Sequence, residues 1–159
     1  MIFSTVDLCD GNEGKVQVLL PGFRDYGARK RFCGPIATVK VYEDNSLVRA
    51  ALEEPGEGRV LVVDGGASMR CALVGDKLAE LGRTRGWAGM VISGCIRDSL
   101  ALAALDFGIK ALGSTPRRSV KKGAGERNIA VTFSGATFNP GDWLYADEDG
   151  VLLSSVNLF

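Results

Sequence analysis

The apolar positions of this chain change period several times, and each change marks an element. "KVQVLL" (15–20) and "IATVKVYE" (36–43) alternate or run apolar and β-branched, so both read as strands. "NSLVRAALEE" (45–54) shifts to helical spacing, capped by Asn45 or Ser46 and stopped by Pro55-Gly56. "RVLVVDGG" (59–66) is a buried strand running into a glycine turn. "GDKLAELGRTRG" (75–86) puts Leu78 and Leu81 on one helical face with Ala79 beside them, and Gly75-Asp76 at its start. "GMVISG" (89–94) is a second buried strand, "DSLALAALDFG" (98–108) a helix with Asp98 and Ser99 in its first turn, and "IKALGS" (109–114) a third strand. A β-α-β-α-β run of this kind makes a parallel sheet with right-handed crossovers.

The flanks have a different character. "STVDLCD" (4–10) opens with a helix-start signal, since Ser4 stands three residues before Asp7. Residues 128–155, "NIAVTFSGATFNPGDWLYADEDGVLLSS", are turn-punctuated and rich in strand formers, with "DEDG" as a hairpin turn between "WLYA" and "VLLSS". With no repeat, linker or low-complexity segment, the 159 residues are expected to form one α/β domain with β-rich flanks.

Composition narrows the chemistry. Nineteen Lys and Arg balance nineteen Asp and Glu, which argues against gripping nucleic acid by bulk charge. The start lacks a secretory signal, no apolar run reaches the ~20 residues of a membrane span, and four scattered cysteines form no C-x-x-C. A cytoplasmic protein with reduced thiols is the expectation. Histidine is absent, which excludes Ser-His-Asp and Cys-His catalysis and every histidine-ligated metal site. A bound metal would then take oxygen ligands, as magnesium and manganese do.

In open α/β sheets, sites form beyond the carboxyl ends of the strands. Three joints are candidates: Asp64-Gly65-Gly66, "GDKL" (75–78) and Arg97-Asp98. The first reads as an ordinary turn. At the second, the unpaired N–H groups of a helix start favour a carboxylate or phosphate. At the third, Arg97 offers a planar fork for a carboxylate and Asp98 an oxygen for a hard cation, with Asp76 as a second acid. The basic stretch "PRRSVKKGAGER" (116–127) reads first as a solvated loop, with an anion-attracting rim as the alternative.

These residues carry a resemblance. "VVDGGASMRCALVGDKLAELGRTRGWAGMVISGCIRDS" (62–99) resembles the core of the regulator of ribonuclease activity A family, which includes class II 4-hydroxy-4-methyl-2-oxoglutarate aldolases. The aldolase mark is an Asp, twenty residues, then Arg-Asp, and here Asp76 precedes Arg97-Asp98 at that spacing. The likeness continues through "LDFGIKALGSTPRRSVKKG" and "VTFSGATFNPGDWLYADEDGVLL", and back to "STVDLCD". It implies a swivelling β/β/α fold, a homotrimer, and a metal-dependent lyase that releases pyruvate from a small 2-oxo acid. It assigns the backbone amides of Gly75, Asp76, Lys77 and Leu78 to the substrate carboxylate, Arg97 to the substrate, and Asp98 to a divalent cation, magnesium or manganese. For such a lyase without histidine, Arg97 is expected to stabilise the enolate charge, and the base is most simply a metal-linked water or one held by Asp76. One departure is that no acid lies between Asp98 and Asp106. The alternative that the resemblance carries is a protein-binding regulator that inhibits a ribonuclease E-type endonuclease. Methyltransferase chemistry lacks the usual G-x-G-x-G loop here.

Overall fold

β4 (Val60–Asp64) shows how the centre of the protein is built. All five residues are buried. Leu61 and Val63 enter one hydrophobic cluster while Val60 and Val62 enter another. Successive side chains of a strand point to opposite faces, so a strand buried on both faces reads as an unbroken apolar run. The computed structural model describes residues 2–159.

β4 lies in a parallel array with β3 (Phe32–Lys40), β6 (Gly89–Ile96) and β7 (Gly108–Ser114), in the order β3-β4-β6-β7. On one face sit α2 (Ser46–Glu53), α3 (Asp76–Thr84) and α4 (Ser99–Ala103), which contribute Leu52, Leu78 and Leu102 to the first cluster. On the other face lie β9 (Val131–Phe133), β10 (Ala136–Phe138), β11 (Trp143–Asp147) and β12 (Gly150–Ser154), which bring Val131, Phe138, Leu144 and Leu153 to the second. The architecture is mixed α/β, as the apolar pattern predicts, with the β/β/α layering that the resemblance implies.

β3 joins the two β regions. Its first residues, Phe32 to Pro35, pair antiparallel with β11, and Ile36 to Lys40 pair parallel with β4. β1 (Val16–Val18) continues the antiparallel side against β12, β2 (Arg24–Asp25) closes the other edge against β7, and β8 (Glu126–Arg127) pairs antiparallel with the end of β3. The expected β11–β12 hairpin forms with Asp147 opposite Gly150. The buried Asp147 carboxylate also accepts from the Thr5 N–H at 2.7 Å and the Thr5 hydroxyl at 2.6 Å. That contact docks α1 (Thr5–Gly11), whose N-cap is Ser4, onto the hairpin. No helix among the described residues is long and apolar enough to cross a membrane.

Two departures from the expectation bear on the site. A helix over 98–108 shortens to Ser99–Ala103, because Phe107 turns inward and is fully buried in the first cluster. A short strand, β5 (Ala72–Val74), precedes "GDKL" and pairs parallel with the end of β6. β6 thus has β4 beside its first half and β5 beside its second.

Candidate functional site

The added strand decides where the chemistry sits. β5 and β6 run side by side in the same direction, with Val74 opposite Ile96 and the Arg97 N–H donating to the Val74 carbonyl at 3.0 Å. Both strands end at the same level. The residues that follow them therefore face one another: Gly75-Asp76 entering α3, and Arg97-Asp98 entering α4.

Asp98 has left-handed backbone, φ 59° and ψ 41°. That conformation is uncommon for a residue with a Cβ, although aspartate tolerates it better than most. Asp98 occupies the N-cap position of α4 but makes no side-chain cap bond there. Its carboxylate reaches instead to α3, where Oδ2 accepts the Asp76 N–H at 3.0 Å across 22 residues of sequence. Gly75 makes this approach feasible. Its φ of −122° is open to any residue, so what glycine supplies is room. A Cβ there would lie 2.6 Å from Asp98 Oδ2 and 3.4 Å from Arg97 Cγ.

A polar cleft of about 460 Å³ opens at this junction. All six residues singled out in the sequence line it: Gly75, Asp76, Lys77, Leu78, Arg97 and Asp98. Leu78 does so from a buried position in the first core cluster, so its backbone is the part available to a ligand. Asp64-Gly65-Gly66 lies apart. It is a local turn in which the Gly66 N–H donates to Asp64 Oδ1 at 3.0 Å.

The cleft is also lined by Asn45 and Arg49 of the α2 region, which sequence reasoning missed, and by Arg118, Ser119 and Lys121. The basic stretch 116–127 was the available signal: it reads first as a solvated loop with an anion-attracting rim as the alternative, and Arg118 and Lys121 are exposed residues that also line the cleft. Asn45 stands at the α2 N-cap but makes no cap bond. Its side-chain N–H donates to the Leu73 carbonyl at 3.1 Å, tying α2 to β5. The helix start is served by Asp44, which accepts from both the N–H and the hydroxyl of Ser46.

Asp44 also pins the basic loop. Its Oδ2 accepts from the Lys122 N–H at 2.9 Å and the Ala124 N–H at 3.2 Å. Burial disfavours the charged carboxylate, but the bonds from Ser46, Lys122 and Ala124 outweigh it and hold the pKa at about 2. The folded value lies below that of an unfolded aspartate. The ionised form therefore stabilises the fold above roughly pH 4, and this contribution is lost as pH falls toward about 2. Asp44→Ala strands several donors and is expected to cost about 3 kcal/mol in urea denaturation at neutral pH. A loss under half that would mean the loop is held by other contacts.

Five cations, Arg49, Lys77, Arg97, Arg118 and Lys121, face two acids, Asp76 and Asp98, around the cleft. None of the five makes an ion pair among the described residues. A small anion is drawn to such a cleft, and raising salt from about 0.05 to 0.5 M is expected to weaken oxalate binding several-fold. Salt-independent binding in a titration would contradict this.

The donor set also bears on a metal. No group of three His, Cys, Asp or Glu side chains gathers at metal-binding distance among the described residues. Asp98, by contrast, is an exposed residue whose second carboxylate oxygen, Oδ1, makes no protein hydrogen bond among them. One carboxylate, water and the two oxygens of a 2-oxo acid suit a hard dication such as magnesium or manganese, and the residues present fit it.

Comparison with known proteins places this geometry in context. The family model described as "RraA-like: Aldolase/RraA" matches residues 5–153. A protein of Aromatoleum aromaticum named "Putative 4-hydroxy-4-methyl-2-oxoglutarate aldolase" is 61% identical over 158 residues, covering 99% of each chain. The crystal structure of an S-adenosylmethionine:2-dimethylmenaquinone methyltransferase from Geobacillus kaustophilus superposes with a TM-score of 0.95 at 47% identity, covering 98% of this chain and 97% of that one. The RNA-processing inhibitor RraA from Thermus thermophilis superposes at 0.94 with 44% identity, covering 98% and 94%.

Proposed function

Because the chain belongs to the RraA-like aldolase family, we propose that it is a divalent-metal-dependent lyase that releases pyruvate. The substrates proposed are 4-hydroxy-4-methyl-2-oxoglutarate-type acids, by retro-aldol cleavage, and oxaloacetate, by decarboxylation. The observation that carries this reading is the meeting of Gly75-Asp76 with Arg97-Asp98 in one cationic cleft.

Each residue has a role that follows from its position. The Asp76 N–H is already taken by Asp98, so the N–H groups of Lys77 and Leu78 at the positive end of α3 receive the substrate carboxylate. Asp98 would hold the cation through its carboxylate. When bound, that cation supplies Lewis-acid polarisation of the substrate ketone. The electron pair of the broken C–C bond passes into the enolate of pyruvate. Arg97, unpaired and half-buried, offers its guanidinium to the negative oxygen. Water held by the Asp76 carboxylate takes the proton of the substrate hydroxyl in retro-aldol cleavage and returns one to the enolate carbon.

The test is pyruvate release from oxaloacetate, coupled to NADH oxidation by lactate dehydrogenase, with magnesium and with EDTA. A rate well above that of magnesium alone, abolished by EDTA, is expected. A rate equal to that of magnesium alone would remove the lyase reading.

A second reading rests on the likeness to the Thermus RNA-processing inhibitor. In it the chain binds a ribonuclease E-type endonuclease and slows it, which requires neither Asp98 nor a metal. Equimolar protein that fails to slow the purified endonuclease would count against it. The methyltransferase name of the Geobacillus relative finds no glycine-rich G-x-G-x-G loop in this sequence.

A further inference from the structure

We infer that Met69 is a peroxide-sensitive cover over the buried thiol of Cys95, and that its oxidation to the sulfoxide opens that thiol to solution. The inference is independent of the lyase reading and concerns a pair of sulfurs that the cleft does not use.

The two sulfurs are in contact. The Cys95 thiol donates to Met69 Sδ at 3.4 Å. Their exposures are opposite, with Cys95 only 1% exposed and Met69 53% exposed. Met90, the other methionine among the described residues, is fully buried in the first core cluster. A small oxidant in solution therefore meets Met69 before it meets Cys95 or Met90.

The seat of Met69 is fixed by the fold. The residue lies on the loop between β4 and β5, where the Gly65 and Ala67 N–H groups both donate to the Ser93 carbonyl at 3.1 Å. Its two neighbours are held by one carboxylate. The Ser68 hydroxyl donates to Glu43 Oε2 at 2.7 Å, and the Arg70 guanidinium donates to both oxygens of Glu43 at 2.7 and 2.6 Å. β7 supplies the room. Cys95 stands opposite Gly113 in the β6–β7 ladder, and a Cβ on Gly113 would lie 2.6 Å from Met69 Cε and 3.6 Å from Cys95 Sγ. The unbranched thioether thus fills the space that a glycine leaves and closes over the thiol.

Oxidation changes what that seat can hold. A lone pair of Met69 Sδ attacks hydrogen peroxide, the O–O bond breaks, an S–O bond forms and water leaves. Methionine loses two electrons and the peroxide gains them. The product carries a polar oxygen on the atom that now rests against Cys95 Sγ, and its hydration draws the side chain out to solvent. Burial, and after it the nearby Cys71, push the Cys95 thiol up from its ordinary pKa. Withdrawing the cover relieves the burial and raises the share of thiolate, which is the reactive form. Cys95 stands two residues before Arg97, so this pair of sulfurs lies at the strand end from which the cleft is built.

The measurement is peptide mass spectrometry of the full chain after hydrogen peroxide, removal of the peroxide with catalase and reduction with dithiothreitol, which leaves methionine sulfoxide in place. The dithiothreitol is then removed and alkylation by N-ethylmaleimide is followed at Cys95. Met69 is expected to gain oxygen before Met90, and Cys95 in the oxidised protein to alkylate about tenfold faster than in the untreated one. Methionine sulfoxide reductase should restore the slow rate. Met69→Leu keeps an apolar cover that cannot be oxidised and should stay slow after peroxide, whereas Met69→Ala should be fast without it. Oxidation of Met69 no faster than Met90, or Cys95 alkylation that peroxide leaves unchanged, overturns the inference. So does a rise of equal size in Met69→Leu, because the peroxide would then be acting elsewhere.

Discussion

Replacing Asp98 with asparagine is expected to lower metal-dependent pyruvate release by about 10³-fold with the fold unchanged. Asparagine is the informative substitution. It tolerates the left-handed backbone at φ 59° as aspartate does, so no conformational strain is added. Its side-chain oxygen can still accept the Asp76 N–H that Asp98 Oδ2 now accepts at 3.0 Å. What disappears is the negative charge and the second carboxylate oxygen, which are the parts assigned to the cation. Alanine at the same position would remove the clasp on α3 and the tolerance of positive φ together, and would confound the three effects. The check is the coupled pyruvate assay over a magnesium titration, alongside a thermal melt. A variant that keeps more than about a tenth of the wild-type rate would remove Asp98 from the metal role.

Much of the fold was legible because the parallel strands are buried on both faces. Runs such as "VLVV" and "GMVI" have little use outside a sheet interior, and the strands they marked, β4 and β6, are buried throughout. The short helix α4 was less legible. Leu105 and Phe107 continue an apolar pattern, but Phe107 is claimed by the core rather than by the helix, and tertiary packing ends the helix early. β5 was missed because three apolar residues carry no measurable period. That omission bears directly on the site. Without β5, "GDKL" and Arg97-Asp98 share only an edge of a sheet. With it, they are adjacent strand ends joined by the Arg97 N–H to Val74 carbonyl bond.

The lining contributed by Arg118 and Lys121 was harder still. Arg118 and Lys121 belong to a segment with no secondary structure of its own beyond isolated bridges. Its position is set by long-range bonds to Asp44, Glu43 and Ala72, and nothing local in "PRRSVKKG" encodes those partners. A charge run alone is compatible with free solvation. Only the buried acid that anchors it from the far side of the sequence turns it into part of a cleft.

Gly75→Ala is expected to lower the same activity by about 10²-fold, the scale of a 1 Å misplacement of a reacting group. The backbone at φ −122° accepts alanine without strain, and exchanging an N-cap glycine for alanine costs about 1 kcal/mol or less. The added methyl, however, would stand 2.6 Å from Asp98 Oδ2, so carboxylate and methyl cannot both keep their places. The carboxylate is the softer partner, because a rotation frees it from the Asp76 N–H. The Arg97 side chain, with Cγ 3.4 Å and Nε 3.5 Å from the methyl position, would also be pressed. The expected signature is a lower kcat and a weaker magnesium dependence with a melting temperature close to that of the wild type. It differs from Asp98→Asn in that the charge remains, so saturating magnesium should recover part of the loss. Full activity in Gly75→Ala would mean that the clasp between Asp98 and α3 is not the arrangement that works. No recovery at any magnesium concentration would instead place the damage on Arg97.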